Sequence, residues 1–163
     1  GMFICIALTA AVVCAAAAFA TGCDKEPKEP KYEPPKNCDI VLVSGVSLEE
    51  PCENFITLCD TYEELQEELL RHGIEMFEES AIKVREYADE HEDKSFVVCF
   101  YVINEDNGPH RLREVEVIDG KLTMYIWRSW DTTASAVMGC CLFIAGVDKS
   151  FVANVTECEY VFV

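Results

Sequence analysis

The sequence predicts an α+β domain in which two N-terminal helices pack on one face of an antiparallel β-meander. Three observations lead there. Apolar residues recur at helical spacing behind Thr61 and again after Gly73. A continuous β-rich run, SFVVCFYVI, follows at residues 95–103. Two alternating segments then flank Asp119-Gly120, a strong two-residue hairpin signal. Helices first and strands afterwards point to helices segregated on one side of an antiparallel sheet.

The chain opens with an uncharged apolar stretch, Met2 to Gly22, that ends in Ala20-Thr21-Gly22-Cys23. Small residues before a cut suit a signal peptidase, and a cysteine directly after it is the more specific feature. The segment resembles a bacterial lipoprotein signal. That resemblance implies a signal peptide over residues 1–22 and lipidation of Cys23. Ala20 stands where leucine is commoner. No Lys or Arg precedes the apolar run, and Gly1 reads as an addition, so the natural start is expected upstream. The competing reading is an uncleaved helical anchor.

Residues 23–36 are expected to form the lipidated cysteine and a tether rich in Pro, Lys and Glu. Pro27, Pro30, Pro34 and Pro35 fix the backbone angle and remove amide donors. At about 3.1 Å per residue such a segment extends for roughly 40 Å. Residues 37–163 suit one extracytoplasmic domain. Acidic and basic residues balance before residue 37, so the whole net charge of −17 falls on this domain. Nucleic acid and anionic lipid are poor partners for it. Basic peptides, cationic polymers and divalent cations stay open.

Asp39 to Val46 and Asn54 to Cys59 read as short strands. Thr61 and Glu64 have capping-box spacing, with Tyr62, Leu65, Leu69 and Leu70 behind them and a stop at His72-Gly73. A second helix is expected from about Ile74 to His91, with Met76, Phe77, Ala81, Val84 and Ala88 as its apolar stripe. Residues 95–103 are too continuously apolar for an exposed edge and should be central. Asn104 to Pro109 is a turn by composition. Leu112 to Ile118 and Lys121 to Trp127 form the hairpin, with Leu122, Met124 and Ile126 on one face and Thr123, Tyr125 and Trp127 on the other. Gly139 to Val147, Phe151 to Val155 and Glu159 to Val163 supply further strands.

The succession of a helical pair, SFVVCFYV, the hairpin EVEVIDGKLTMYI and the strand CLFIAGVDK is similar to small bacterial lipoprotein domains related to the protease-complex stability factor PrcB. The resemblance spans residues 55–150. It implies a non-enzymatic partner-binding module and transfers no site residues.

Of ten cysteines, seven lie in the domain: Cys38, Cys52, Cys59, Cys99, Cys140, Cys141 and Cys158. An odd number cannot all pair within the chain. Cys52 with Cys59, or Cys38 with either, could staple the loop-rich start in an oxidising compartment. Reduced thiols packed as small hydrophobes are the alternative, with redox chemistry third. Zinc wants closely spaced pairs such as C-x-x-C, and there are none. Cys140 and Cys141 are neighbours and would point to opposite faces of a strand.

Catalytic patterns are sparse, and no cofactor is implied. Ser80 and Lys83 match S-x-x-K without the further motifs of penicillin-recognising enzymes. His72 and His91 fall at helix ends, and His110 follows a turn. Acidic runs read as solvated helix faces, and NEDNG at 104–108 lacks the closing Glu of a calcium loop. Asn154 to Thr156 is a glycosylation triplet, moot in a bacterial protein. Arg128, Trp130 and Asp131 have the composition of a binding hot spot, although Trp130 closing the core is the simpler reading. The expectation is an envelope-anchored binding module for a protein or peptide, acting through its sheet or the loop around Trp130. The alternative is a small hydrolase or a thiol-redox protein.

Overall fold

The computed structural model describes residues 33–44, 47–48, 52–103, 110–128 and 139–163. Of these, 52% lie in strands and 25% in helices. Among the described residues the strands are β1 (Asp39–Ser44), β2 (Ser47–Leu48), β3 (Phe55–Cys59), β4 (Ile74–Glu75), β5 (Lys94–Ile103), β6 (His110–Ile118), β7 (Lys121–Arg128), β8 (Gly139–Asp148) and β9 (Glu157–Phe162). The helices among these residues are α1 (Tyr62–Arg71), α2 (Glu78–Glu90) and α3 (Lys149–Val152).

The expected fold is corrected in two respects. The helices α1 and α2 lie mid-chain, after β3, and are not N-terminal. The strands do not form one meander but two main sheets. The first is antiparallel in the order β1-β8-β5-β3, and the second is β6-β7-β9 with β7 and β9 parallel. A small antiparallel pair, β2-β4, completes the set. The physical reason lies in β5, which is buried from Ser95 to Tyr101. A strand apolar on both faces needs a cover on each side. Phe96, Val98 and Phe100 face Leu65, Leu69 and Val84 of the helices. Val97, Cys99 and Tyr101 face Leu122, Met124 and Ile126 of the second sheet. The first sheet is therefore the middle layer of three. Each large side chain sealed there contributes about 1.5–3 kcal/mol.

Local chemistry sets the element ends. Thr61 Oγ1 accepts from the Glu64 amide at 3.2 Å, and the Glu64 carboxylate accepts from the Asp60 amide at 2.8 Å. This is a capping box displaced by one residue. The second helix begins at Glu78, not Ile74, because Ile74 and Glu75 pair with β2. Phe77 is its N-cap and is exposed, while Val84 is fully buried. Asp119 and Gly120 both take positive φ, 50° and 80°, as a two-residue turn between Ile118 and Lys121 requires. Residues 151–155, read as a strand, instead finish α3 and turn into β9, with Thr156 N–H donating to Gly120 O at 2.8 Å.

One close approach fixes the helical layer. A side chain at Gly146 would place its Cβ 2.1 Å from Tyr87 Oη. Tyr87 reaches from α2 over β8 and donates to Asp39 Oδ2 at 2.7 Å. Lys94 joins Asp39 at 3.5 Å and Asp148 at 2.8 Å. No described helix is long and apolar enough to cross a membrane.

Candidate functional site

The second sheet has an inward face that seals the core and an outward face that carries the candidate site. Alternation along β7 turns Leu122, Met124 and Ile126 inward, fully buried, and leaves Tyr125 and Trp127 half-exposed outward. In β9, Val161 pairs beside Tyr125, and Val163 N–H donates to Ile126 O at 3.0 Å. Val161 is 37% exposed and Val163 54%. Two aromatic and two aliphatic side chains thus share one outward face. Scattered exposed apolar residues are ordinary, but a cluster lining a concavity points to a binding surface.

The concavity is an open groove of about 410 Å³ lined by Pro34, Arg113, Glu114, Tyr125, Trp127 and Val163, with Glu33, Lys36 and Glu116 completing it. Its wall is built by the chain segment that precedes β1. Lys36 N–H donates to Arg113 O at 3.0 Å, and Val115 N–H donates to Lys36 O at 3.1 Å. Asn37, at φ 62°, then turns the chain away, its side-chain amide donating to Val115 O. The register of β6 shifts between Leu112 and Glu114, a bulge at Arg113.

Charge rings the apolar floor. The Tyr125 hydroxyl donates to Glu116 Oε2 at 3.0 Å, which holds the phenol above its ordinary pKa. Thr123 donates to Glu159 at 3.0 Å, and Lys121 bridges Glu159 at 2.6 Å and Glu157 at 3.8 Å. The Lys121 ammonium holds the Glu159 carboxyl below its usual value. The Arg111 guanidinium lies over Trp127, 5.8 Å from the ring centroid. An aromatic floor with a charged rim is the anatomy of a protein-binding hot spot.

The residues expected from sequence fall elsewhere. Arg128 ends β7 on the inward side, with its guanidinium 4.6 Å from the Phe162 ring centroid, and does not share the outward face with Trp127. Cys23, Trp130, Asp131 and the 104–108 segment lie outside the described residues. The three candidate disulfide cysteines are not brought together. Cys59 ends β3 and Cys52 precedes it, so the strand between them spans about 13 Å. Bonded cysteines need Cα atoms within about 7 Å. Cys38 lies beside β1, at the opposite edge of the sheet from β3, about 14 Å away across three strand spacings. Burial pushes the Cys38 and Cys59 thiols up to about 12. Ser80 and Lys83 sit on α2, Ser80 half-buried and Lys83 exposed.

The histidines have structural company. His72 stacks on Phe55 at 3.8 Å and meets Glu68 at 3.2 Å, and His91 stacks on Tyr87 at 4.2 Å. His110 Nδ1 is hydrogen-bonded to the Tyr101 hydroxyl, which also contacts the Cys141 thiol. Sulfur, phenol and imidazole meet here. Burial nevertheless pushes the Cys141 thiol up to about 11, so it is protonated at neutral pH and a poor nucleophile. Among the described residues no group of three or more His, Cys, Asp and Glu could hold a metal ion.

Sequence reasoning placed Trp127 and Tyr125 on one face of a strand but passed over them as a site. Their alternation was visible, while the groove wall supplied by Pro34 and Lys36 was not. Compared with protein-family models, curated proteins and solved structures, the chain matches none.

Proposed function

We propose that this protein is a non-enzymatic binding module that takes a protein or peptide partner on the outward face of its second sheet. In this reading a lipid on Cys23 anchors it to a bacterial membrane, and the tether of residues 24–36 presents the domain outside the cell membrane. The Ala20-Thr21-Gly22-Cys23 junction and the Pro/Lys/Glu composition of the tether support that address. The observation that carries the binding reading is the groove over Tyr125 and Trp127, with Val163 beside them. Aromatic side chains held at half exposure on a rigid strand offer large contact area at little entropic cost on binding. The net charge of −17 makes nucleic acid a poor partner in this reading.

The test is crosslinking capture from native envelope, comparing wild type with Trp127→Ala and with Phe77→Ala on the helical side. A specific partner retained by Phe77→Ala and lost by Trp127→Ala supports the proposal. Equal capture by both variants removes the sheet face from it.

A second reading, thiol-based hydrolysis, is favoured by the Cys141-Tyr101-His110 contact alone. Labelling of the folded protein by an electrophilic probe, abolished in Cys141→Ala, would support it. Absence of labelling at Cys141 at neutral pH would dismiss it.

A further inference from the structure

The groove over Tyr125 and Trp127 has the chemistry of a site for proline, and we propose that the segment it takes is proline-rich, basic and extended as a polyproline II helix. The inference rests on the binding reading above and names the chemistry of the partner. The chain already lays one proline on this floor: Pro34, within Glu33-Pro34-Pro35-Lys36, lines the groove together with Tyr125, Trp127 and Val163. The two rings are held ready for more. The Tyr125 hydroxyl is engaged by Glu116 at 3.0 Å, so the phenol presents an apolar ring. Arg111 lies over Trp127 at 5.8 Å but does not line the groove, so it leaves the groove side of the indole open. Grooves lined by aromatic rings are the recurring docking surface for rigid proline segments.

The wall of the groove argues against strand addition. The outer edge of β6 is taken at Arg113 and Val115 by Lys36. The residues before Lys36 are Pro34 and Pro35, which have no N–H to extend a ladder. Recognition at this wall therefore runs through side chains. A polyproline II segment makes no internal hydrogen bonds, so its carbonyls need donors. The Trp127 indole N–H supplies one, since no group among the described residues accepts from it, and the Arg113 guanidinium lines the groove as a second. The segment is extended before it binds, so little order is lost on docking. Charge selects its other residues. Glu33, Glu114 and Glu116 line the groove against Lys36 and Arg113, within a chain of net charge −17. Among the described residues Glu33 and Glu114 make no ion pair. Lysine or arginine between the prolines meets these carboxylates, whereas an acidic segment meets a repelling field.

The test uses the full chain in non-ionic detergent micelles and a fluorescent peptide of about twelve residues repeating Lys-Pro-Pro. Binding is read by anisotropy, beside one peptide with Ala for every Pro, which exchanges polyproline II for helix, and one with Glu for every Lys. The Lys-Pro-Pro peptide should bind wild type about tenfold or more tightly than either control, and Trp127→Ala should weaken it by a similar factor. Glu114→Lys, a surface change that leaves the floor intact, should weaken the Lys peptide and strengthen the Glu peptide. Absence of binding by the Lys-Pro-Pro peptide, equal binding by either control peptide, or equal binding by wild type and Trp127→Ala overturns the proposal. The capture experiment above separates the two levels. A partner that still depends on Trp127 when the proline peptide fails leaves the binding face standing and removes proline from it, whereas capture indifferent to Trp127 removes the face itself.

Discussion

Replacing Gly146 by alanine tests how the helical layer is seated on the first sheet. The new methyl would lie 2.1 Å from Tyr87 Oη, 2.6 Å from its Cζ and 2.7 Å from its Cε1. Carbon atoms rest about 3.5–4.0 Å apart, so the ring must withdraw by about 1 Å or more. It has little freedom to do so. Tyr87 is stacked on His91 at 4.2 Å, meets Phe96 edge-on at 6.1 Å, and holds Asp39 at 2.7 Å. Overpacking of this kind costs about 1–3 kcal/mol, and loss of the Asp39 hydrogen bond adds about 1 kcal/mol. The expected loss is about 2–4 kcal/mol, seen in urea melts as a lower midpoint with an unchanged slope. At about 4 °C per kcal/mol, the melting temperature should fall by roughly 8–16 °C. Tyr87→Ala removes the obstacle, so Gly146→Ala should cost little in that background, leaving a coupling of about 2 kcal/mol. A Gly146→Ala protein that melts with the wild type, or an additive double-mutant cycle, would refute this account of the interface.

Three further outcomes are expected. The Asp39 carboxyl is held below its usual pKa, first by the Tyr87 hydrogen bond and then by Lys94. A depressed folded pKa gives stability that is complete above the unfolded carboxylate value, about 4, and lost as pH falls below it. Tyr87→Phe should therefore be less stable than wild type at pH 7, and the gap should narrow in urea melts toward pH 3. Gly120→Ala should cost about 1 kcal/mol or more, because φ is +80° and its Cβ would meet Asn154 O at 3.1 Å; an unchanged urea midpoint would contradict the turn geometry. Cys99 is sealed and burial raises its thiol, so its reaction with a disulfide reagent should wait for unfolding while half-buried Cys52 reacts first; the reverse order under native conditions would count against the layer assignment.

Much of the local structure could be read from the residues, because it is set by neighbours in the chain. Thr61 and Glu64 cap α1, Asp119-Gly120 turns the hairpin, and the unbroken run at 95–103 is a central strand. The pairing between distant strands could not be read in the same way. β8 lies between β5 and β1, and β9 joins β7 in parallel, although each sequence would satisfy a simple meander equally well. Alternation shows that β7 has one wet face but not what lies on its dry one. Phe77 shows the converse error: helical periodicity placed it in an apolar stripe, but Ile74 and Glu75 were taken by β2, and the helix began too late to bury it. The site followed the same division. The outward position of Tyr125 and Trp127 was legible, whereas their groove depends on Pro34 and Lys36 returning to β6 from nearly eighty residues away.

The central claim is that the outward face of β7 meets the partner. The most direct measurement places a photo-activated crosslinking amino acid at Trp127 and, separately, at Phe77, which is 57% exposed on the opposite, helical layer. Each full-length variant is expressed in its native envelope and irradiated. The account predicts a discrete covalent adduct from position 127 and none from position 77. An adduct formed only from position 77 would move the interface to the helices and contradict the claim.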